Sequence, residues 1–121
     1  MPIKKILIVD DSKTERMALA QILSKGGYAV SAAEGPDEAL ARLAQDKPDL
    51  ILMDVVMPGG NGFQLTRTIS RNPDYADIPI IICTSKGQET DRVWGMRQGA
   101  RDYIVKPING DDLIARIQAL G

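Results

Sequence analysis

Four short apolar runs in this sequence each end in a residue type able to handle a phosphate or a metal ion. Asp10-Asp11 follow Ile6-Leu7-Ile8-Val9, and Asp54 follows Leu50-Ile51-Leu52-Met53. Thr84-Ser85 follow the run from Ile78 to Cys83, and Lys106-Pro107 follow Tyr103-Ile104-Val105. Three carboxylates in one place repel each other at neutral pH, where an isolated Asp has a pKa of about 4. Without a cation, at least one would be driven toward protonation. A hard divalent ion relieves the repulsion. Mg²⁺ takes oxygen ligands in an octahedron and usually keeps several waters, so two or three carboxylates and a backbone carbonyl make a suitable partial shell, with positions left for a phosphate oxygen. The Lys106 ammonium can pair with a carboxylate in a resting site and with a phosphoryl oxygen in an occupied one, and the Thr84 hydroxyl can donate to the same group. Charge stabilisation and positioning are most of what phosphoryl transfer requires. One Asp must then be the nucleophile. Asp54, from the third run, suits that role, and the adjacent Asp10 and Asp11 suit metal ligation. Each residue has an ordinary alternative: an Asp after a strand often caps a helix, Thr84 could cap one, and Lys106 could be a surface lysine. Their convergence on one edge argues against coincidence.

That convergence depends on the elements between them. Ile6 to Val9, Leu50 to Met53 and Ile78 to Cys83 are continuous rather than alternating, as in strands buried on both faces. Tyr28 to Ala33 reads as a weaker second strand, and Tyr103 to Val105 as the fifth and shortest. Pro79 falls near the start of the fourth, where a missing N–H is tolerable. Helical patterns lie between. Ser12-Lys13-Thr14-Glu15 has the form of a capping box, with Ser12 capping the first turn and Glu15 reaching back, and Ala18, Leu19, Ile22 and Leu23 form its apolar stripe. Gly26-Gly27 ends that helix. Pro36 opens a second, with Ala39, Leu40, Leu43 and Ala44 as its stripe. Phe63, Leu65 and Ile69 mark a third, stopped near Asn72-Pro73, and Phe63 reads as core. Val93, Met96 and Ala100 mark a fourth, ending near Gly99. Asn109 with Asp112 opens a fifth, carrying Leu113, Ile114, Ile117 and Leu120. The alternation predicts an α/β fold, (βα)5, with a doubly wound parallel five-stranded sheet. In such sheets the functional crevice lies beyond the carboxyl ends of the strands, where the polar residues fall.

The chain has 121 residues, 44% hydrophobic and 26% charged, which suits one domain over residues 1–121. Its net charge is −1 and no block of Lys or Arg stands out, so a nucleic-acid surface is not expected. Lys4-Lys5 reads as the flank of a strand. Histidine is absent, which removes His acid-base catalysis, His metal ligation and a phosphohistidine on this chain. The single cysteine, Cys83, ends an apolar run and reads as a buried, inert thiol. Apolar runs are far shorter than the ~20 residues of a membrane span, and the N-terminus reads straight into a strand, so neither membrane insertion nor a signal peptide is expected and the cytoplasm is the expected compartment.

Ile6-Leu7-Ile8-Val9-Asp10-Asp11-Ser12, Leu52-Met53-Asp54 with Met57-Pro58-Gly59-Gly60-Asn61-Gly62, Thr84, and Tyr103-Ile104-Val105-Lys106-Pro107 resemble response-regulator receiver domains of the CheY-like fold, and the resemblance covers essentially the whole chain. It implies the flavodoxin-like strand order 2-1-3-4-5. It also implies that a partner histidine kinase phosphorylates Asp54 and that Asp11, Asp54 and the Val56 carbonyl bind Mg²⁺ directly, with Asp10 acting mainly through water. Lys106 would contact the phosphoryl group and precede a cis Pro107. Thr84 would move toward the phosphoryl oxygen and let Tyr103 turn inward, reshaping the surface of the fourth helix, fifth strand and fifth helix, where an output protein would bind. The run from Gln88 to Tyr103 is similar to PilH-type regulators of type IV pilus twitching systems, which implies a chemosensory-type kinase and an effect on pilus motility.

Some positions depart from the family pattern. Val56, two after Asp54, stands where many receivers carry a polar side chain, and Lys86 stands two after Thr84. Both flank the route of an attacking water. Ser85 replaces the Ala often found after Thr84. Trp94, one step off its helix stripe, reads either as half-buried packing or as a partner-binding anchor. Among rival functions, an aspartate-nucleophile phosphatase typically needs a second Asp two residues after the first. Ser12, Lys13 and Val56 occupy those positions here. A flavodoxin-like electron carrier needs a phosphate-welcoming loop after the first strand, and two adjacent acids oppose it. An interaction module that is never phosphorylated is the third alternative. The expected role is a switch that catalyses only its own phosphorylation and dephosphorylation, not an enzyme acting on a separate substrate.

Overall fold

The computed structural model describes residues 2–57 and 60–121, so Pro58 and Gly59 of the loop motif quoted above lie outside the described residues. The elements in chain order are β1 (Lys5–Val9), α1 (Lys13–Lys25), β2 (Ala29–Ala33), α2 (Pro36–Gln45), β3 (Leu50–Met53), β4 (Val56–Met57), β5 (Gly60–Asn61), α3 (Gly62–Arg71), β6 (Ile80–Thr84), α4 (Glu89–Arg97), β7 (Asp102–Val105) and α5 (Gly110–Leu120). Five strands form one parallel sheet in the order β2-β1-β3-β6-β7. This is the expected 2-1-3-4-5 arrangement, with β6 and β7 as the fourth and fifth strands. The short antiparallel hairpin of β4 and β5, pairing Val56 with Asn61, was not foreseen.

The continuous aliphatic runs are explained by the two faces of the sheet. Successive side chains of a strand point to opposite sides. Leu7, Val9, Ile51, Met53, Ile80 and Ile82 therefore join one core with Ala39, Leu43, Leu65 and Ile69 of α2 and α3. Ile6, Ile8, Leu50, Leu52, Ile81 and Cys83 join the other with Leu19, Leu23, Leu113 and Ile117 of α1 and α5. With helices covering both faces, a run that alternated apolar and polar would have left charge in a core.

Caps follow the sequence with one exception. Asn61 and Asn109 accept the amide N–H groups of Gln64 and Asp112 at 2.8 and 3.0 Å, so both helices start as their side chains dictate. Gly27 takes φ +90°, which a side chain would resist, and turns the chain out of α1. The exception is Ser12-Glu15. Ser12 Oγ accepts the Glu15 N–H at 3.3 Å, but the Ser12 N–H donates to Asp10 Oδ1 at 2.9 Å and not to Glu15. The box is half formed because a nearer carboxylate takes its second donor.

Several readings of apolar residues are corrected. Ala18 of the expected α1 stripe and Leu40 and Ala44 of the expected α2 stripe are exposed. In the stripe expected for the fourth helix Ala100 is buried, but Val93 and Met96 are each 42% exposed. Within that helix Gly95 is the buried residue, and a methyl there would lie 2.8 Å from Ile82 Cδ1 and 3.1 Å from the Tyr103 ring. A glycine lets α4 sit close to the sheet, and its larger side chains are left outside. Phe63 packs against the edge of the core and is only partly buried. Trp94 is half exposed.

Candidate functional site

The carboxyl edge of the sheet gathers the singled-out residues. Asp10 follows β1, Asp54 follows the central strand β3, Thr84 ends β6 and Lys106 follows β7. Asp10, Asp11 and Asp54 each bring a carboxylate oxygen within 4.8 Å of the others. Asp11 is exposed while Asp10 and Asp54 are 2% and 8% exposed, so the cluster opens to solvent on the Asp11 side. Lys106 Nζ donates to Asp10 Oδ2 at 2.8 Å and lies 3.7 Å from Asp54 Oδ2. The Lys106-Pro107 peptide bond is cis.

Electrostatics at this edge follow from burial. Loss of water raises the Asp54 pKa above the usual carboxylate value, and the charge of Asp10 adds to that; Lys106, the Val56 N–H and the Thr84 hydroxyl pull the other way. Burial also works against the Lys106 charge, but the hydrogen bond and charge of Asp10, with the charges of Asp54 and Glu15, outweigh it and hold the ammonium above its ordinary value. A site with three close carboxylates and one ammonium remains short of positive charge. Its donors are all oxygens, one carboxylate faces solvent, and the Val56 segment lies alongside, with its N–H on Asp54 Oδ1 at 3.3 Å. That donor set fits Mg²⁺ or a similar hard cation and does not suit a soft metal.

Thr84 is fully buried, and its Oγ1 accepts the Lys86 N–H at 3.4 Å. The Lys86 carbonyl in turn accepts the Tyr103 hydroxyl at 2.6 Å. Tyr103 is 1% exposed, so its ring already points inward, and burial first, with nearby Asp91, pushes its phenol up to about 12, which keeps it a donor. Cys83 lies beneath the site, and burial pushes its thiol up to about 12, as expected of an inert packing residue. Val56 and Lys86, the two positions beside the water route, are both exposed.

Sequence reasoning missed three contributors. Arg16, one turn into α1, donates from Nη1 to the Asp10 carbonyl at 2.8 Å and from Nη2 to Glu34 at 3.2 Å, which ties the helix to the segments after β1 and β2. Glu15 places its carboxylate 3.6 Å from Lys106 Nζ. Gly62 starts α3 directly against the Asp54 backbone: a Cβ there would lie 2.0 Å from the Asp54 carbonyl oxygen. The signal for Gly62 was its position one after the cap Asn61. Gly62→Ala is therefore expected to lower stability by about 3 kcal/mol, because the clash is with backbone that cannot rotate away. Urea unfolding of the two proteins measures the difference.

The response regulator receiver domain family matches residues 6–118. Protein PilH of Pseudomonas aeruginosa is 51% identical over 116 residues, which is 96% of each chain. The phosphate regulon transcriptional regulatory protein PhoB of the same organism is 43% identical over 97% of this chain, which spans 51% of that longer protein. Among solved structures, the chemotaxis protein CheY4 of Vibrio cholerae superimposes with a TM-score of 0.91 at 31% identity, covering 98% of this chain and 99% of that one. Motif, fold, site geometry and relatives agree that the chain belongs to the response regulator receiver domain family.

Proposed function

We propose that the chain works as a phosphorylation switch in which Asp54 accepts a phosphoryl group from the phosphohistidine of a partner kinase. The observation that carries this reading is the charge-deficient cluster of Asp10, Asp11 and Asp54 with Lys106 at the open edge of the sheet. With no histidine in the chain, the donor imidazole has to come from elsewhere. An Asp54 carboxylate oxygen attacks phosphorus, a P–O bond forms, the P–N bond to the donor imidazole breaks, and the departing nitrogen takes a proton. Asp11, Asp54 and the Val56 carbonyl would hold Mg²⁺, with Asp10 acting through water. The ion would supply charge neutralisation for the transferring group. Lys106 balances charge on the attacking side and then pairs with a phosphoryl oxygen.

Thr84 is the group expected to shift, because its buried hydroxyl lies beside Asp54 and accepts the Lys86 N–H in the resting chain. Drawing it toward a phosphoryl oxygen disturbs the Lys86 segment, which also anchors Tyr103. That links the site to the surface of α4, β7 and α5, where Val93, Trp94, Met96 and Val105 are exposed. An output protein would dock there. The likeness to Protein PilH supports a chemosensory-type kinase as donor and pilus motility as the process controlled. Among the described residues, no helix is long and apolar enough to cross a membrane, in keeping with a cytoplasmic regulator.

Trp94 reports on the switch. It lines a cleft with Asn61, Phe63, Gln64 and Arg67, and Asn61 pairs with Val56, two residues after Asp54. Its fluorescence should change on addition of beryllofluoride, a phosphoryl mimic, in excess Mg²⁺. An unchanged emission alongside demonstrated analogue binding would show that the coupling stops short of α4. Incubation with acetyl phosphate and Mg²⁺ tests the chemistry itself: one phosphoryl group per chain is expected, stable to acid and labile to base, and absent with EDTA. Continuous release of phosphate from many substrates would instead indicate a phosphatase.

A further inference from the structure

We propose that Glu15 is a positioning residue that sets how much of the Lys106 charge is available to a phosphoryl group on Asp54. The inference rests on the reading of Asp54 as phosphoacceptor. It begins with a cap that does not close. A Ser-x-x-Glu sequence expects the Glu carboxylate to accept the N–H of the Ser. In this chain Asp10 Oδ1 occupies that N–H, and the Glu15 carboxylate turns instead to Lys106, with Oε2 3.6 Å from Nζ.

Lys106 thus faces three acids at graded distances: Asp10 at 2.8 Å, Glu15 at 3.6 Å and Asp54 at 3.7 Å. Asp10 and Asp54 follow directly on strands, and their backbone N–H groups donate to the carbonyls of Ala33 and Val9 at 3.1 and 2.9 Å. Glu15 hangs from α1 with its side chain 42% exposed, against 3% and 10% for the other two. It is the one partner of Lys106 able to swing away without moving the sheet. Its distance from the ammonium nearly equals that of Asp54, so the two compete for the same charge. A phosphoryl group on Asp54 raises the demand for that charge, and Glu15 opposes it twice. It draws the ammonium toward α1, and its own charge repels the phosphoryl oxygens. The residue therefore lowers the affinity of the site for a phosphoryl group and shortens its stay.

The experiment uses full-length protein at saturating Mg²⁺. Beryllofluoride affinity is measured by titration calorimetry, and the rate and extent of Asp54 phosphorylation by acetyl phosphate are followed by intact mass, for wild type, Glu15→Gln and Glu15→Lys. The exposed position limits the effect to about threefold to fivefold tighter analogue binding in Glu15→Gln, at low salt. A larger gain is expected in Glu15→Lys, and both gains should shrink toward unity near 1 M salt, where screening is short. A merely structural role in α1 would lower the thermal midpoint without a salt-dependent gain in affinity. Equal or weaker analogue binding by both variants, with wild type phosphorylated normally, overturns the role of Glu15 and leaves the phosphoacceptor reading intact. If wild type itself takes neither beryllofluoride nor phosphate, the reading of Asp54 fails first.

Discussion

Asp54→Asn is expected to bring phosphorylation by acetyl phosphate down to background while the protein stays folded. The substitution keeps the shape of the side chain and removes the oxygen nucleophile, so the rate should fall on the order of 10⁴-fold or more, as when other nucleophiles are deleted. Its effect on stability has a definite sign. Burial and Asp10 raise the Asp54 pKa, so folding disfavours the ionised form that prevails at neutral pH. A neutral Asn removes that cost. The thermal midpoint of metal-free Asp54→Asn should therefore equal or exceed that of wild type at pH 7, and the difference should vanish on acidification below about pH 4, where Asp is protonated in both folded and unfolded chains. The same shift makes protons compete with Mg²⁺, so metal affinity should weaken as pH falls through the raised Asp54 pKa. Intact mass and thermal unfolding across pH measure both halves. A variant that loses stability at neutral pH while losing phosphorylation would show that Asp54 is a structural residue.

Lys106→Met is expected to have the largest effect on the resting fold. It deletes the one ammonium shared by Asp10 and Asp54, which are otherwise almost dry. Removing one partner of a buried pair leaves uncompensated charge, and with Lys106 itself 14% exposed the lower end of the usual range applies, about 3 kcal/mol. For a domain of this size that is roughly 12 °C in thermal midpoint. Without Lys106 the folded-state pKa of Asp54, already raised by burial, rises further. That part of the penalty is present when Asp54 is ionised, declines as pH falls through its raised pKa, and is gone below the unfolded value of about 4. Mg²⁺ should restore part of the loss at pH 7 by replacing the missing charge. Phosphorylation should nevertheless stay at least about 100-fold slow, because the metal cannot take over the direct contact of an ammonium with the phosphoryl oxygens. A variant as stable as wild type without metal would show that the lysine is an ordinary surface residue.

The legible parts of this chain were those where one physical rule dominates. Continuous aliphatic runs such as Leu50 to Met53 admit few readings other than a strand buried on both faces, and each ended where the structure ends it, within a residue or two. Strand ends in a parallel sheet share an edge, so the sequence alone groups Asp10, Asp54, Thr84 and Lys106. What escaped was decided by tertiary competition. Glu15 was assigned to its own helix cap because spacing cannot reveal that Asp10 would reach the Ser12 N–H first. Periodicity puts Val93 and Met96 on a buried face because it does not show that a glycine, Gly95, is the contact residue of α4. Phe63 reads as core because an aromatic beside Leu65 has the same pattern whether it fills the interior or lies along its edge. The β4 and β5 hairpin is too short to leave a pattern. Gly62 was visible as the last residue of the loop motif from Met57 to Gly62, but its closeness to the Asp54 carbonyl follows from the packing of α3.

The most direct test is a crystal structure grown with Mg²⁺ and beryllofluoride. The expected density places the beryllium on an Asp54 carboxylate oxygen and the metal among Asp11, Asp54 and the Val56 carbonyl, with Lys106 and a displaced Thr84 hydroxyl each within hydrogen-bond distance of a fluoride. An ion bound away from the three aspartates, or an Asp54 carboxylate left bare with Thr84 still turned to Lys86, would contradict the switch and leave only the receiver fold.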